Sequence, residues 1–408
     1  MGIKKCVLVG TGSRGINAYV EPLTSGKYSD SLKLCGIYDQ VKERAELCGK
    51  EYGNIPVYDS FDAMVDDIKP DYIIVTTKDC NHHEYIIRSL DMGYDVITEK
   101  PITNTRKKAL EIMAAEKRSG HSVRVIFNMR YMKPISDLKE VLSSGVIGKI
   151  NHIDFTWLLD RKHGADYFRR WHRNIENTTS LLVHKSTHHF DVVNWVADKT
   201  PKSVFARGTL EFYGKNGEYR GECCHKCEHA SKCPLYMDIT APEKSFNKKY
   251  YYDLEQVSGY YRDGCVFAED IDIFDRMALN VLYEDGATMN YSLSCYNLDE
   301  GMKLNFIGTK GRVEFEYYTA GPRKEDPIKI RIITNEKKEE EIETSFGTGA
   351  HGGADALMFE MLFSLSDEPD PLGRLADSKA GYYSLAIGDM AVQSIRTGKD
   401  VDINDLGE

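Results

Sequence analysis

A lysine near residue 100 is the first candidate for chemistry in this sequence. Lys100 belongs to the tripeptide Glu99-Lys100-Pro101, which follows a predicted strand. Ligands bind at the carboxyl ends of strands in open α/β sheets, so a lysine there can hydrogen-bond a substrate hydroxyl and take part in proton transfer. Taken alone, the tripeptide favours a surface lysine ahead of a helix-starting proline.

A group of histidines is the second candidate. On one helix His184, His188 and Asp191 fall at i, i+4 and i+7 and share a face. A histidine held in this way can act as a general base toward a hydroxyl that loses hydride. The same spacing also suits a metal site, or a polar helix face whose side chains hydrogen-bond to one another. Three imidazoles in six residues favour a functional role.

Cations and aromatic residues are dense between residues 161 and 173. This composition suits recognition of a carbohydrate or a carboxylate, and a solvated loop after a strand is an equally good interpretation.

A glycine motif near the N-terminus predicts a phosphate-binding turn. Residues 10–15 read Gly-Thr-Gly-Ser-Arg-Gly after a predicted strand and before a predicted helix, as G-x-G-x-x-G requires. Asp39 follows the second strand, where a carboxylate can bind ribose hydroxyls and repel a 2′-phosphate. NAD is therefore favoured over NADP, although Lys42 and Arg44 weaken that preference. A methyltransferase is a minor alternative for the same pattern.

The surrounding pattern predicts the elements that position these residues. Over residues 1–127, short apolar runs alternate with helical patterns, as in a doubly wound α/β domain with a parallel sheet. Over residues 128–408, longer amphipathic strands and two late helices predict an α+β domain with an open, largely antiparallel sheet. A Cys-, Tyr- and Lys-rich insertion occupies about 213–268, and the charged run 337–341 is predicted to be a solvated hairpin tip.

Four clustered cysteines suggest a metal site inside that insertion. Cys224, Cys227 and Cys233 form C-x2-C-x5-C, which is one ligand short of a tetrahedral zinc site. Cys265, at the far end of the insertion, is the preferred fourth ligand, with His225 or His229 as alternatives. Unligated thiols remain the competing interpretation.

Composition limits the partners and the compartment. The 408 residues carry 53 Lys and Arg against 63 Asp and Glu, a net charge of −10. This balance argues against nucleic acid and anionic membranes as partners. The sequence contains neither a long apolar run nor a signal peptide, so we expect a cytoplasmic protein.

Taken together, these motifs resemble the Gfo/Idh/MocA family, named for glucose–fructose oxidoreductase, inositol dehydrogenases and rhizopine catabolism proteins. The resemblance spans nearly the whole chain. It rests on the glycine motif, Glu99-Lys100-Pro101, residues 128–131, His188-x-x-Asp191, residues 308–312 and residues 351–353. It implies a Rossmann domain and a second α/β domain whose sheet mediates a homodimer or homotetramer.

The family resemblance also implies roles for individual residues. Lys100 and His188 would carry the acid–base work. The predicted cofactor contacts are Gly10, Gly12, Ser13, Arg14, Gly15, Asp39, Thr76, Thr77, His82, Glu99, Lys100 and Asn128. The predicted substrate contacts are Arg130, Arg161, Tyr167, Arg170, Trp171, His184, Lys185 and His351. Where the family has an aspartate four residues before the catalytic histidine, this sequence has His184.

The expected activity is NAD(P)-dependent oxidation of a sugar, polyol or glycoside hydroxyl, with C3 of a glycoside as one candidate. Two alternatives stay open. The first is glycoside cleavage assisted by transient oxidation with bound NAD, which would release no net NADH. The second is a non-catalytic protein that senses NAD and a sugar, which would bind both without turnover.

Overall fold

The computed structural model describes residues 2–348, 350–363 and 369–406; the side chains of residues 350 and 351 are outside that description. Its strands are β1 (Lys4–Val9), β2 (Leu32–Tyr38), β3 (Tyr72–Val75), β4 (Val96–Glu99), β5 (Val123–Ile126), β6 (Ile150–Asp160), β7 (Pro201–Thr209), β8 (Arg276–Tyr283), β9 (Thr288–Asn297), β10 (Glu300–Gly308), β11 (Gly311–Ala320), β12 (Ile328–Thr334), β13 (Glu339–Thr344), β14 (Ala376–Asp377) and β15 (Val401–Asp402). Its α-helices are α1 (Ser13–Gly15), α2 (Glu21–Thr24), α3 (Lys42–Glu51), α4 (Phe61–Ile68), α5 (Asp79–Asp91), α6 (Arg106–Ser119), α7 (Lys133–Ser143), α8 (Arg161–Arg169), α9 (Ile175–Thr178), α10 (Leu181–His184), α11 (Thr187–Val196), α12 (Ser245–Tyr250), α13 (Glu255–Ser258), α14 (Ala354–Leu362) and α15 (Ser378–Thr397).

The first sheet is the parallel sheet predicted for the N-terminal part of the chain. Its strand order in the described residues is β14-β5-β4-β3-β1-β2. Strands β1 to β5 run parallel to their neighbours, and β14 adds a short antiparallel edge. Because parallel strands end at one edge, the glycine turn, Thr76-Thr77 and Lys100 all lie at the carboxyl edge of this sheet.

The second sheet is the largely antiparallel sheet predicted for the rest of the chain. Its order is β13-β12-β11-β10-β6-β9-β8-β7-β15 within the described residues. The pair β6 and β9 runs parallel, and the other neighbouring pairs run antiparallel. Buried and exposed residues alternate along β8, so one face of the sheet enters the core and the other stays open. Helix α15 packs against β7.

Two details of this sheet differ from the sequence prediction. Strand β7 was not predicted. The charged run 337–341 was predicted to be a hairpin tip, but only part of it lies in the tip and the rest belongs to β13. The tip is limited to residues 335–338, because β13 pairs with β12 from residue 339 onward. The Glu341 carboxylate forms cross-strand ion pairs with Lys329 (2.7 Å) and Arg331 (2.9 Å), so these charges stabilise an edge strand.

Segments late in the chain return to the first domain. Phe359 of α14 stacks on Tyr28, with ring centroids 4.6 Å apart, and β14 extends the first sheet. Tyr250 and Tyr251 of the insertion share a buried core with the residues around the first sheet. The boundary near residue 127 stays a prediction, because later segments contribute to the packing of both parts. Among the described helices, none has both the length and the apolar character needed to cross a membrane.

Candidate functional site

The turn after β1 has the backbone shape that a dinucleotide requires. Gly10 has φ of +99°, and a Cβ there would lie 2.8 Å from the carbonyl oxygen of Thr76. A Cβ on Gly15 would clash with the carbonyl oxygen of Gly10. At Gly12 the nearest atom to a Cβ would be the Tyr251 hydroxyl at 3.6 Å, so this backbone is open to close approach. These residues fit a pyrophosphate at the start of the following helical segment.

Asp39 is tied to the glycine turn. Its Oδ2 accepts hydrogen bonds from the backbone N–H of Thr11 (2.6 Å) and from the Thr11 hydroxyl (2.9 Å). Its Oδ1 accepts from Val41 N (2.8 Å) and from the guanidinium of Arg44 (2.7 Å). Arg44 therefore neutralises much of the negative charge on which the sequence-based preference for NAD depends.

A tyrosine of the insertion reaches the same turn. The Tyr251 hydroxyl accepts a hydrogen bond from the backbone N–H of Ser13 at 2.9 Å. The Arg44 guanidinium lies over the Tyr251 ring, 5.7 Å from its centroid. No sequence motif marks Tyr251, and only the density of tyrosines in the insertion indicates a packing role. The insertion therefore covers the predicted phosphate-binding turn.

Lys100 is a half-buried amine just after β4. Its Nζ donates to the carbonyl oxygen of His184 at 3.1 Å. Burial lowers the pKa of Lys100 to about 8, even though the carboxylates of Asp79 and Glu99 act to raise it. An amine with such a pKa exchanges protons readily near neutral pH.

Glu99 is already paired, and its Oε2 accepts from the backbone N–H of Lys100 at 3.3 Å. Its Oε1 accepts from Arg14 Nε (2.7 Å) and from the Tyr19 hydroxyl (2.9 Å). The two predicted cofactor contacts Arg14 and Glu99 thus form a partly buried ion pair next to the glycine turn. Direct contact of either residue with a cofactor stays a prediction.

An aspartate of the first domain pairs with His184 of the second. Asp79 Oδ2 accepts from Nδ1–H of His184 (2.7 Å) and from the Thr178 hydroxyl (2.6 Å). Burial alone would raise the pKa of Asp79, but His184 and these hydrogen bonds lower it, while burial lowers the pKa of His184 to about 4. At neutral pH the carboxylate is ionised and the imidazole is neutral. Because Nδ1 carries the proton, Nε2 is left as an acceptor.

The single helix predicted across residues 184–191 is wrong. Helix α10 ends at His184 and α11 begins at Thr187. The N–H of His188 bonds to the carbonyl of Lys185, so the His184 carbonyl is free to accept from Lys100. The carboxylate of Asp191 pairs with Arg130.

His188 lies close to the charged end of Lys100. Burial and the charges of Lys100 and Lys185 lower the pKa of His188 below its usual range. Its ring stands edge-on to Phe127 at 6.0 Å, and within the described residues Nδ1 has no hydrogen-bond partner. His188 is therefore a neutral imidazole beside the lysine, as a proton acceptor requires.

Several predicted substrate residues form one wall beside His184. The rings of Tyr167 and Trp171 lie 5.6 and 5.7 Å from the His184 ring. Lys185 Nζ lies 3.9 Å from the Glu300 carboxylate, which was not predicted. Aromatic faces combined with charged hydrogen-bonding groups are suited to a polyhydroxylated ring.

Three other predicted substrate residues have different surroundings. Arg130 is buried and forms a bidentate pair with Asp191, at 2.8 and 2.6 Å, so its donors already have partners. Arg170 pairs with Asp166 at 3.2 Å. Arg161 begins α8, with its guanidinium over the Phe212 ring. These geometries favour positioning roles for Arg130 and Arg170. The side chain of His351 lies outside the described residues.

The remaining predicted cofactor residues organise the loops after β3 and β4. The Thr76 hydroxyl donates to the Gly10 carbonyl at 2.6 Å. The two ring nitrogens of His82 lie 3.1 Å from the Thr77 carbonyl oxygen and 2.8 Å from that of Pro101. His82 therefore joins the loops that carry Thr77 and Lys100. Asn128 is buried in a 3-10 turn at the junction of the two domains.

The predicted metal ligands come together in the insertion. Each of the ten cysteines is a free thiol. Cys224, Cys227, Cys233 and Cys265 line one small cavity together with Cys223. The fourth predicted ligand, 32 positions after Cys233 in the sequence, thus lies beside the other three.

The chain matches two consecutive models of one family. Residues 4–127 match the oxidoreductase family model described as an NAD-binding Rossmann fold. Residues 139–403 match the model for the C-terminal alpha/beta domain of that family. The protein belongs to the Gfo/Idh/MocA oxidoreductase family. It is thus an NAD-binding oxidoreductase of the family that contains sugar and inositol dehydrogenases.

Individual members of the family differ in how much of this chain they resemble. YteT of Bacillus subtilis (strain 168) is 35% identical over 99% of both chains. D-Glucoside 3-dehydrogenase of Escherichia coli (strain K12) is 29% identical over 30% of this chain and 34% of its own. The structure of levoglucosan dehydrogenase in complex with NADH and levoglucosan has the same fold, with a TM-score of 0.69 at 16% identity and coverage of 99% and 100%.

Proposed function

We propose that this Gfo/Idh/MocA protein oxidises a hydroxyl of a sugar, polyol or glycoside, with NAD as the cofactor. The observation that carries the proposal is the placement of Lys100, an amine with a pKa of about 8 that contacts His184 at the carboxyl edge of the first sheet. The D-glucoside and inositol dehydrogenases among the relatives support this substrate class and make C3 of a glycoside the first position to test.

Each polar group then has a distinct task. When bound, NAD supplies the hydride acceptor. Neutral Lys100 takes the proton of the reacting hydroxyl, and neutral His188 beside it is a second proton acceptor. Asp79 fixes the His184 ring so that Nε2 can accept a hydrogen bond from a neighbouring sugar hydroxyl. The carboxylate that the family resemblance places at position 184 is thus supplied by Asp79.

The wall beside His184 is the proposed sugar-binding surface. Tyr167 and Trp171 contribute aromatic rings, each with one face stacked on a histidine, and Lys185 and Glu300 offer a donor and an acceptor of hydrogen bonds.

The decisive experiment is incubation of the pure protein and NAD with a panel of glycosides and polyols. Products that are two hydrogens lighter, together with NADH, support the proposal. Binding of NAD and sugar with no turnover of any substrate would support the sensor alternative.

The preference between NAD and NADP depends on Asp39. Its carboxylate disfavours a 2′-phosphate; the ion pair with Arg44 reduces that repulsion, while the hydrogen bond from Thr11 N keeps the carboxylate at the glycine turn. Calorimetric titration of the protein with each nucleotide tests this preference. Tighter binding of NAD is expected, and tighter binding of NADP would contradict the assignment.

Cleavage of a glycosidic bond with retained NAD is a second candidate. The contact of Tyr251 with the glycine turn favours it, because the insertion covers the place where a dinucleotide would enter and leave. Release of an aglycone without accumulation of NADH would identify this reaction. Stoichiometric NADH would identify simple oxidation.

We further propose that the protein is cytoplasmic and assembles as a homodimer or homotetramer through the open face of the nine-stranded sheet. That face carries polar side chains of several strands, among them Asp154, Thr156, Asn280 and Asn290.

We also propose that the four cysteines of the insertion hold a structural metal centre. Zinc is the simplest occupant of such a site.

A further inference from the structure

Two short segments of the insertion lie side by side and bring a thiol, an imidazole and a carboxylate together. Cys223 pairs with Gly264 in an antiparallel bridge. The backbone N–H of Cys224 donates to the carbonyl oxygen of Asp263 at 2.9 Å. His225 follows in the 3-10 turn that begins at Cys224. The backbone pairing therefore holds Cys223 and His225 of one segment next to Asp263 of the other.

The donor atoms of these three side chains are close enough to share one metal ion. Cys223, His225 and Asp263 each offer a donor atom, and the three atoms all lie within 4.8 Å of one another. Cys223 Sγ lies 3.8 Å from His225 Nε2. In a tetrahedral zinc site with bonds of about 2.0 to 2.3 Å, neighbouring ligand atoms are about 3.3 to 3.8 Å apart. The distance between the thiol and the imidazole therefore already matches that of two zinc ligands.

A second carboxylate approaches the same imidazole from another element. Glu255 begins the short helix α13, and its Oε2 lies 3.4 Å from Nε2 of His225. That separation is longer than an ordinary N–H···O hydrogen bond, but it suits two ligands of one metal ion. Glu255 therefore offers a fourth donor from a different part of the insertion.

Two buried carboxylate oxygens beside His225 lack a hydrogen-bond partner. Asp263 is fully buried, and its Oδ2 accepts from the backbone N–H and from Nδ1–H of His225, both at 2.8 Å. Within the described residues, Asp263 Oδ1 and Oε1 of the buried Glu255 have no donor. A buried carboxylate oxygen without a partner is costly, and a bound cation removes that cost. Both carboxylates pair with the same imidazole, so a divalent cation would offset charge that His225 offsets only in part.

We propose that Cys223, His225 and Asp263 bind one zinc ion, with Glu255 as the fourth ligand. Zinc accepts thiolate, imidazole and carboxylate ligands in one tetrahedral site, whereas calcium and magnesium take oxygen ligands. Binding of the ion releases the proton of the Cys223 thiol. The site uses none of the four cysteines assigned to the other metal centre, and it does not depend on the proposed oxidation of a sugar.

This ion would fix the segment that covers the glycine turn. Glu255 lies four positions after Tyr251, whose hydroxyl accepts from Ser13 N. The residues between them form the 3-10 turn 252–254, and the Tyr252 ring stands edge-on to the His225 ring with centroids 5.0 Å apart. A metal bond to Glu255 therefore ties the Tyr251 segment to the paired segments that carry the other three ligands.

The zinc content of the full-length protein tests this proposal. Wild-type protein and variants are loaded with zinc, freed of unbound metal, and analysed by atomic emission. We expect His225→Gln to hold one zinc fewer per chain than the wild type. His229→Gln should hold the wild-type amount, because His229 lies in the same insertion but pairs with Glu228 at 3.7 Å, away from the proposed ligands. Equal zinc in His225→Gln and the wild type, or no zinc retained by the wild type, would overturn the proposal.

A further variant separates this site from the four-cysteine centre. Cys227→Ser/Cys233→Ser removes two ligands of that centre and none of the proposed site, so it should retain one zinc per chain. Its X-ray absorption at the zinc edge should show about one sulfur at about 2.3 Å and about three nitrogen or oxygen atoms at about 2.0–2.2 Å. Loss of all zinc from the folded double variant, or a shell with more than one sulfur, would contradict the assignment. If the double variant does not fold, the wild-type spectrum decides, because a shell of sulfur alone would exclude the site.

Discussion

The chemistry proposed for Lys100 follows from its burial. An exposed lysine would stay charged well above neutral pH, but here burial lowers the pKa to about 8. The neutral amine is the form that accepts a proton, so kcat for oxidation should rise with pH through a midpoint near 8, and the reverse reduction should fall. A pH profile of kcat measured in both directions checks this sign.

Substitution at Lys100 separates proton transfer from simple binding. Lys100→Arg keeps the positive charge but removes the titration, because a guanidinium does not lose its proton in this range. We expect a loss of turnover of about 10²- to 10⁴-fold, with nearly unchanged NAD affinity and no midpoint near pH 8. Lys108→Met is the control, because Lys108 also donates to a carbonyl, that of Cys80, but lies outside the site. An unchanged pH profile in Lys100→Arg would remove Lys100 from the mechanism.

Asp79 is expected to act through His184. Asp79→Asn keeps the size of the side chain but no longer requires the proton of His184 to sit on Nδ1, so Nε2 loses its fixed acceptor role. We expect kcat to fall by roughly 10²-fold, with little change in NAD binding. Glu111→Gln is the matched control. Glu111 is also a carboxylate that pairs with a histidine, but that histidine, His83, lies on the exposed side of α5, the helix that begins with Asp79. Equal effects of the two substitutions on kcat would show that the Asp79 pair has no special role.

At the scale of elements, local signals were sufficient to predict most of the fold. The apolar run of β2 and the helical period of α15 are visible in the sequence, and Ser60 caps α4 by accepting from Ala63 N, as a serine directly before a helical period indicates. The break between α10 and α11 was missed, because the 3.6-residue period continues through it and tertiary contacts of Lys100 and Asp79 decide it.

Pairings between distant elements could not be predicted from one sequence. Asp79 and His184 are 105 positions apart, and Ser13 and Tyr251 are 238 apart. Periodicity and turn signals report only on near neighbours, so they found His184 but not its carboxylate. The position of Asp79, which begins α5 four residues after the end of β3, was the one available indication, because carboxyl ends of parallel strands bind ligands.

The contact between the insertion and the glycine turn leads to a prediction about NAD affinity. The Tyr251 hydroxyl and a bound phosphate would compete for the N–H of Ser13. Tyr251→Phe keeps the ring against Arg44 but frees that donor, so NAD should bind more tightly, by about the 0.5–1.5 kcal/mol of one hydrogen bond. Titration calorimetry gives the change.

The neighbouring tyrosine is the control for this experiment. The Tyr250 hydroxyl bonds to Glu51, away from the glycine turn, so Tyr250→Phe should leave the NAD affinity unchanged. Weaker NAD binding by Tyr251→Phe would instead mean that the hydroxyl contacts the bound cofactor.

At the scale of the whole molecule, the last prediction concerns the oligomeric state and the open face of the nine-stranded sheet. In a symmetric dimer the same patch meets itself, so one substitution near the centre of the face appears twice at the interface. Ser292 of β9 points to this face and bonds to Thr156 of the central strand β6. Ser292→Arg would bring two like charges together and crowd an interface of about 1,000 Å² or more. Light scattering should then report the mass of one chain, while Asp66→Arg on the exposed surface of α4 should leave the oligomer intact. A monomeric wild-type protein, or an unchanged mass for Ser292→Arg, would exclude this face as the assembly surface.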